Sequence, residues 1–565
     1  MIETFSDLIP YYSWLYIPIA LIVFFSIGWY CRSCCSRTEK KISILFGILF
    51  VWFYISGLVV SSGASLNLKS VSFIFVSSIL FSPIIGIGYH HINLFLRKQL
   101  ADNNDKYDFA LARHTLLFPF IIIMVCWIPV FLALYPGLFA YDVGGQIPQE
   151  MGRYSTHHPL LHTFFLKAFY WLGKEIGSYN TGMAISTFLQ MALFALALAY
   201  AIQYMINKRI KKSIIIAVLL FFSVIPIFSI MAVSMTKDIL FAAAFVASFV
   251  KVLELNETGL KKLKIKDWML ILGLLTLTSL LRSNGKYAVY ALLAVMFLKS
   301  VFNRVEIKQN YFLAVTTALL ITVSNTALIA VTKARTVSKN EMMSVPYQQL
   351  ARTYKYDIGS FSSNDLAILK TLIPKIMYYN EHKSDSIKGS ATVFNSYINQ
   401  KLFWEIYIRY MLKKPDRYLE AFLINTIGYW YLDDISSSQM YGKRADGGIN
   451  DDFGLFLMDT KGGFGVTHES KFQLLDSAIK KLFHENKYQN IPVVAVIFNM
   501  GTYFWFFVMF LFYCIQTKNS QIFIPCVFIL AYMATVFAGP CALFRYALPY
   551  IICLPPFMVA VYKNK

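Results

Sequence analysis

The sequence predicts an all-α polytopic membrane protein with about 13 transmembrane helices and a mostly helical extracytoplasmic domain. Of its 565 residues, 57% are hydrophobic and only 15% are charged, and the mean hydropathy is +0.54. Apolar runs of about 18–25 residues recur along the chain, which is the length that a helix needs to cross a bilayer. The Lys and Arg residues behind the formal net charge of +21 fall in clumps between these runs. This positive-inside pattern indicates a membrane protein and argues against nucleic-acid binding.

The N-terminal half of the chain predicts nine spans. An acidic N-terminus precedes the first span and the basic segment 31–41 follows it, so we expect the N-terminus outside. Residues 160–176 instead predict a helix lying on the outer membrane surface, because their apolar side chains fall on one helical face. The nine predicted spans are 11–30, 42–62, 70–90, 115–135, 181–205, 213–232, 239–255, 268–281 and 287–301.

The C-terminal half predicts four more spans around a long polar segment. A span at 311–331 exits outside into residues 333–489, here called the polar segment, which is too long for a plain loop and contains several helical runs. The last three predicted spans are 491–515, 521–539 and 542–562, which leave the C-terminus in the cytoplasm. The predicted organisation is an N-terminal three-span addition (1–114), a transmembrane core with the first outer loop and the surface helix (115–332), the extracytoplasmic domain (333–489) and a C-terminal three-span segment (490–565).

The cysteines predict no disulfide framework. Cys31, Cys34 and Cys35 lie in the basic segment after the first span, and no local histidine completes a zinc site there. We expect these three residues to be reduced thiols.

The first outer loop, YPGLFAYDVGGQ, carries one carboxylate where the chain leaves the membrane. Pro136 and Gly137 end the preceding span, and Gly144 and Gly145 leave the backbone open to a ligand. A partly desolvated carboxylate at Asp142 can act as a general base on a hydroxyl. The alternative is a solvated loop aspartate.

Four cations are expected at the same outer face beside apolar helices. Outer cations embedded between spans need a partner. Asp238 adjoins Lys237 and is one candidate partner; the other is an anionic lipid headgroup, above all a phosphate, which suits the planar fork of arginine. Phosphate is favoured for Arg282, because LRSNGK contains no acid. The four candidate phosphate-binding residues are Lys237, Arg282, Lys286 and Arg545.

Other polar residues are candidates for binding an acceptor. His157 and His158 either cap the surface helix or hydrogen-bond an acceptor or a phosphate. A metal site with Asp142 lacks a complete ligand set, so no cofactor is assigned and a divalent metal remains an open alternative. Gln349, in SVPYQQLAR, either reaches the site or is a polar residue at a helix start. The candidate acceptor-binding residues are Tyr141, Gln146, His157, His158 and Gln349.

These residue types suit one kind of reaction. A base, several cations and a cavity in the membrane plane fit the attack of an acceptor hydroxyl on a group linked to a lipid phosphate. The base takes the hydroxyl proton, and the cations stabilise the charge on the departing phosphate. If the group is a sugar, a single displacement inverts the anomeric centre.

From residue 115 to about residue 550, the chain resembles the GT-C class of integral-membrane glycosyltransferases, and most closely a bacterial group whose members are mostly uncharacterised. The resemblance rests on the order and common sidedness of LYPGLFAYDVGGQ, THHPLLHTFF, SMTKDILFA, LRSNGKY, SVPYQQLAR and FRYALPY. It implies that Asp142 is the catalytic base and that the donor is a polyprenyl-phosphate sugar. It also implies that spans one to three are an addition to the core.

The leading hypothesis is a glycosyltransferase of the bacterial plasma membrane, of hexosyl or pentosyl type. It would move a sugar from a polyprenyl-phosphate donor to a cell-envelope glycan or lipid-linked acceptor on the outer face. Its expected partners are these two substrates and membrane lipids, with no nucleic acid. The alternatives are a transporter or flippase of lipid-linked precursors, an acyltransferase or glycan ligase with His157 or His158 as base, and a structural scaffold. The scarcity of charges at mid-depth in the spans counts against a transporter.

Overall fold

The computed structural model describes residues 25–28, 36–100, 114–151, 153–433, 458–459 and 462–563. Most of the first predicted span, 11–30, and all of Cys31, Cys34 and Cys35 lie outside these residues. The described chain is almost entirely helical, with three very short strands.

The N-terminal half contains twelve of the helices used below. They are α1 (Arg37–Ser61), α2 (Leu68–Leu100), α3 (Leu117–Ala133), α4 (Tyr141–Gln146), α5 (Leu160–Glu175), α6 (Tyr179–Asn207), α7 (Lys212–Val224), α8 (Pro226–Ala232), α9 (Lys237–Thr258), α10 (Ile265–Leu281), α11 (Ser283–Asn303) and α12 (Ile307–Thr332).

The C-terminal half contains ten further helices. They are α13 (Ser344–Tyr356), α14 (Ser363–Leu372), α15 (Asp385–Lys388), α16 (Tyr397–Lys413), α17 (Pro415–Trp430), α18 (Gln473–Phe483), α19 (Pro492–Phe498), α20 (Met500–Thr517), α21 (Phe523–Phe537) and α22 (Phe544–Lys563). The three strands are β1 (Leu138–Ala140), β2 (Ser234–Met235) and β3 (Met458–Asp459), and β1 lies between the other two.

Eight helices within the described ranges are long and apolar enough to cross a membrane, which makes this a polytopic membrane protein. A ninth span forms if α7 and α8 are counted together; they meet at an angle of 53°, where Pro226 begins α8 and supplies no backbone N–H. Three other predicted spans coincide with α3 and α10, which have 17 residues each, and with the largely buried α9. The predicted count of about 13 spans stays a prediction.

The main hydrophobic core surrounds α9. Its residues are buried on nearly every side, and it packs against α6, α10 and α22. Because α9 is shielded by other helices, it does not need a continuous apolar face toward lipid. The charged N-terminus of α9 is thereby fixed at one end of the helix bundle.

The predicted surface helix is α5, which packs against α6. Two glycines permit this close contact: a Cβ on Gly182 would lie 2.3 Å from the Phe169 carbonyl oxygen and 2.6 Å from Gly173 Cα. Trp171 on α5 is 68% exposed, whereas His162 is fully buried. The helix therefore has one face against the bundle and one face away from it.

The polar segment contributes to two hydrophobic cores. Its first part, from Met343 to Tyr418, forms a second core of its own. The rest of α17, together with Val466 and buried residues of α18, packs into the main core. Residues of the polar segment therefore reach the membrane helices directly.

The α1–α2 hairpin is joined to the polar segment through Glu420. This buried carboxylate accepts hydrogen bonds from Leu66 N at 2.7 Å and from Arg352 Nε at 2.8 Å. Arg417 Nη1 donates a third bond at 2.9 Å. A buried carboxylate with three donors is well satisfied, so the hairpin and α17 are held together at this point.

Candidate functional site

Two short parallel strands bring Asp142 and Lys237 together. In β1 and β2, Leu138 lies opposite Ser234 and Phe139 lies opposite Met235. The carboxyl ends of parallel strands meet at the same edge, and each of these strands leads into a helix. Asp142 lies in the first turn of α4, and Lys237 begins α9. Their side chains therefore meet although they are far apart in sequence.

Gly137 allows β1 to approach β2. Its φ of +130° is disfavoured for other residues. A Cβ at this position would lie 2.6 Å from Thr187 Oγ1 and 2.8 Å from the Val233 carbonyl oxygen, which accepts a hydrogen bond from Leu138 N at 2.9 Å. A larger residue would push β1 away, and Asp142 with it.

Asp142 forms ion pairs with two cations from different parts of the chain. Lys237 Nζ lies 2.7 Å from Asp142 Oδ2, and Arg545 Nη1 lies 3.5 Å from the same oxygen. The exposed fractions of the side chains are 18% for Asp142, 15% for Lys237 and 5% for Arg545. Charges that are this close and this shielded interact more strongly than a surface pair.

A second carboxylate extends the cluster beneath Asp142. Asp238 is fully buried and forms an ion pair with Arg282 Nη1, and its Oδ2 lies 3.5 Å from Arg545 Nε. Thr236 Oγ1 donates a hydrogen bond to the same oxygen at 3.1 Å. Arg545 thus bridges the two carboxylates. We call Asp142, Lys237, Asp238, Arg282 and Arg545 the ion cluster; it contains three cations and two carboxylates.

Aromatic rings cover the two arginines. The guanidinium carbon of Arg282 lies 4.3 Å from the centroid of the Tyr546 ring and 5.8 Å from that of Phe241. Arg545 lies 5.2 Å from the Tyr546 ring. Cation–π contacts of this kind stabilise a guanidinium that has lost part of its hydration. Arg282 sits at the break between α10 and α11, in extended backbone.

His158 is oriented by the cluster. Its Nδ1 lies 3.2 Å from Lys237 Nζ, which acts as the donor, so Nδ1 is the acceptor nitrogen of a neutral imidazole. On the opposite side of the ring, a Cβ added to Gly145 would come within 3.1 Å of Nε2. The glycine therefore makes room for the imidazole.

The pKa values of the acid and the two histidines reflect burial and these charges. Burial by itself raises the pKa of the Asp142 carboxyl, but Arg545, Lys237 and His158 outweigh it and hold that pKa well below its usual range. Burial, reinforced by Lys237, lowers the pKa of His158 to about 4 and that of His162 to about 3. At neutral pH the site therefore contains an ionised Asp142 and two neutral imidazoles.

Gln146 connects α4 to α5. Its Nε2 donates to Thr163 Oγ1 at 2.9 Å, and its Oε1 lies 3.2 Å from His162 Nδ1. Gln146 and His162 are fully buried, and within the part of the chain that the structure describes His162 Nε2 has no hydrogen-bond partner. The Gln146 side chain, predicted to bind an acceptor, is engaged in holding the Asp142 helix.

The ion cluster includes four of the predicted site residues, and others lie apart. His157 is exposed and its ring packs edge-on against His158. Lys286 Nζ lies over the Tyr287 ring at 5.3 Å, and none of the described ion pairs connects it to the cluster. Gln349 hydrogen-bonds the Tyr418 carbonyl oxygen and the Tyr407 hydroxyl within the second core. The side chain of Tyr141 lies outside the described residues.

Sequence-based prediction missed three features of the candidate site. It treated Asp238 only as a neighbour of Lys237, whereas this carboxylate pairs with both arginines. It gave no role to His162, although a histidine among apolar residues on α5 was a usable signal. Tyr546, directly after Arg545, was visible only as part of FRYALPY. Among the residues that the structure describes, no group of three His, Cys, Asp or Glu side chains is placed to hold a metal ion.

Comparison with known proteins shows the family of this chain. Residues 146–565 match the model of DUF6020, a family of unknown function, and the chain belongs to that family. No curated protein and no solved structure matches it significantly. The matched region includes Lys237, Arg282 and Arg545 and begins just after Asp142.

Proposed function

We propose that this protein is a membrane glycosyltransferase that moves a sugar from a polyprenyl-phosphate donor to a cell-envelope glycan or lipid-linked acceptor. The reaction would take place on the outer face of a bacterial plasma membrane. One observation carries the proposal: the ion cluster unites the first loop, the SMTKD turn, the RSNGK turn and the start of the last helix.

The composition of the cluster favours an anionic ligand. Its cations outnumber its carboxylates, and both arginines are largely buried. An excess buried cation is costly unless an anion neutralises it. Arginine binds phosphate bidentately through its planar fork, so the phosphate of a lipid-linked donor suits Arg545 and Arg282.

The proposed chemistry is a single displacement. An acceptor hydroxyl oxygen attacks the anomeric carbon of the donor, and the bond from that carbon to the phosphate oxygen breaks. The electron pair leaves with the polyprenyl phosphate, whose charge is stabilised by Arg545, Arg282 and Lys237. Asp142 accepts the hydroxyl proton as general base. The products are an inverted glycoside and a polyprenyl phosphate.

The contact between Asp142 and Lys237 links donor binding to the basicity of Asp142. Arg545 and Lys237, whose Nζ lies 2.7 Å from the carboxylate, together make Asp142 a weak base. A donor phosphate competes for the same ammonium group. When Lys237 turns toward the phosphate, the pKa of Asp142 rises, and the base becomes stronger only when the donor is bound.

The test is complementation of a strain that lacks the protein with the Asp142→Asn variant. Removing a general base lowers a rate by about 10²–10⁴-fold, so we expect the loss of one sugar from the envelope glycan. Glycan composition is measured after the membrane level of the variant has been checked.

A matched control is Asp416→Asn. Asp416 is an outlying aspartate whose side chain is 38% exposed and lies 3.8 Å from Arg417 Nε. This variant should restore the complete glycan. If Asp142→Asn also restores it, Asp142 is not the base, and a transporter or scaffold explains the protein better.

A further inference from the structure

The loop between α21 and α22 comes directly before Arg545, and three consecutive carbonyls of this loop are held from outside it. Asn425 Nδ2 donates to the Gly539 oxygen at 3.0 Å, and Ser384 N donates to the Pro540 oxygen at 3.0 Å. The Tyr429 hydroxyl donates to the Cys541 oxygen at 2.9 Å. All three donors belong to the polar segment. We call this set of bonds the carbonyl clamp.

Two of the three clamp donors are buried side chains on one face of α17. Asn425 and Tyr429 are four residues apart on α17, so their side chains point in the same direction. Their exposed fractions are 3% and 1%. Hydrogen bonds that are shielded from water hold geometry better than exposed ones do. The first turn of α22, which contains Arg545, begins three residues after the last clamped carbonyl.

The clamp also reaches the second hydrophobic core. Gln348 on α13 donates from Nε2 to the Asn380 carbonyl oxygen at 2.8 Å and lies 3.5 Å from Asn425 Oδ1. Side chains on α13 and α17 therefore connect that core to the loop. A displacement of the second core would be passed to the loop through Asn425.

The junction has incomplete hydrogen bonding. Ser344 Oγ, Gln348 Oε1 and Ser384 Oγ are buried and have no hydrogen-bond partner among the described residues. Buried polar atoms of native proteins are nearly always paired, and exceptions mark strain or a functional site. Gln348 and Ser384 both take part in this junction, so its polar side chains are not fully paired with other described residues.

We propose that the polar segment controls anion binding by positioning Arg545 through the carbonyl clamp, with Asn425 and Tyr429 as positioning residues. Arg545 is the residue that bridges Asp142 and Asp238, so a shift of the loop changes both contacts at once. The inference rests on the proposed function only for the identity of the ligand, a polyprenyl phosphate.

The test uses the full-length protein in nanodiscs of neutral lipid, with sugar-free polyprenyl phosphate as the probe. Tyr429→Phe removes one hydroxyl and keeps the ring. One hydrogen bond to a buried carbonyl corresponds to about a fivefold change in affinity, and this weakening is expected. Asn425→Leu should act in the same direction. Amide hydrogen exchange of residues 538–546 should become faster in both variants.

Tyr418→Phe is the matched control. Tyr418 lies on the same helix and donates from its hydroxyl to the Tyr407 carbonyl oxygen at 2.9 Å, within the second core. This variant should bind the probe as the wild type does, with unchanged exchange at 538–546.

The outcomes separate the two proposals. If Arg545→Gln loses probe binding while Tyr429→Phe and Asn425→Leu retain it, the positioning role is overturned and the proposed function stands. If the wild type does not bind the probe, the donor assignment fails, and the exchange data then decide the positioning role. Unchanged exchange at 538–546 in both variants would overturn it.

Discussion

His158 is the clearest example of a side chain whose state is set by its neighbours. Its Nδ1 accepts from Lys237, and its burial excludes the solvent that would hydrate an imidazolium. The neutral ring keeps Lys237 oriented without competing for Asp142. Protonation would place a second cation beside Lys237 and break this arrangement.

The lowered pKa of His158 makes the stability of the folded protein depend on pH. The pKa of His158 is about 4 in the folded protein and 6.5 in the unfolded chain, so the unfolded chain takes up the proton first as pH falls. Stability is complete above pH 6.5 and declines toward pH 4. Between pH 7 and pH 5 the loss from one such histidine is up to about 2 kcal/mol. We expect His158→Gln to reduce the fall in melting temperature over this interval.

The neighbouring His157→Gln is the control, because His157 is exposed. It should change the pH dependence of the melting temperature less than His158→Gln does, because His157 is only one of the smaller causes of the lowered pKa of His158. Since His162 also has a lowered pKa, part of the dependence should persist in His158→Gln. An identical dependence in wild type and His158→Gln would contradict the assignment of a buried neutral imidazole.

At this scale, the sequence identified the charged residues better than their partners. Asp142, Lys237, Arg282 and Arg545 were singled out because each stands where an apolar run meets a turn that is predicted to face outside. Their mutual pairing was not predictable, since it depends on strand register and on how α22 packs. Gln146 was predicted to bind an acceptor. In the structure, its amide nitrogen contacts Thr163 and its amide oxygen contacts His162.

At the scale of elements, residues of the candidate site lie at the breaks and ends of helices. Arg282 occupies the break between α10 and α11, and Asp238 lies in the first turn of α9. Gly285 permits the sharp reversal, since a Cβ there would lie 2.5 Å from both Phe241 Cε2 and the Thr278 carbonyl oxygen. Two helix ends are thus held together by one buried ion pair.

Breaking the Arg282–Asp238 ion pair should lower the free energy of unfolding. In Arg282→Gln, the carboxylate of Asp238 stays buried with the longer ionic contact to Arg545 and the hydrogen bond from Thr236. Loss of one partner of a buried pair typically costs about 3–5 kcal/mol. The double variant Asp238→Asn/Arg282→Gln removes both charges and should recover much of the lost stability. Denaturant unfolding in detergent measures both effects.

Lys401→Gln is a surface comparison. Lys401 Nζ lies 3.9 Å from Glu405 Oε1, and the two side chains are 65% and 50% exposed, so its loss should have a much smaller effect. If the double variant is as unstable as Arg282→Gln, the two charges do not act as a pair.

The elements themselves were predicted unevenly. Hydropathy predicted a span at each described helix that is long and apolar enough to cross a membrane. A run of about 20 apolar residues matches the thickness of a bilayer and is therefore easily recognised. The strands β1, β2 and β3 were missed, since two or three residues carry no detectable period. The buried apolar residues of the polar segment pack mainly into two hydrophobic cores. The sequence does not predict this division, because it depends on which helices α17 contacts.

At the scale of the whole molecule, the fold gathers distant turns at one end of a helix bundle. The α9 helix is its buried centre, the α5 helix is hydrogen-bonded to the last residue of α4, and the polar segment reaches the loop before Arg545. This arrangement suits a reaction between a lipid-borne donor and a water-borne acceptor, because the ion cluster is formed where loops from membrane helices and the polar segment meet.

The most direct measurement of the central claim is transfer by the purified protein. Nanodiscs containing the protein are incubated with a panel of polyprenyl-phosphate sugars and with envelope glycan from a strain that lacks the protein. We predict release of polyprenyl phosphate from one donor, gain of that sugar by the glycan with inverted anomeric configuration, and a loss of about a hundredfold or more in Asp142→Asn. Equal release by wild type and Asp142→Asn, or movement of intact donor between leaflets without release, would contradict it.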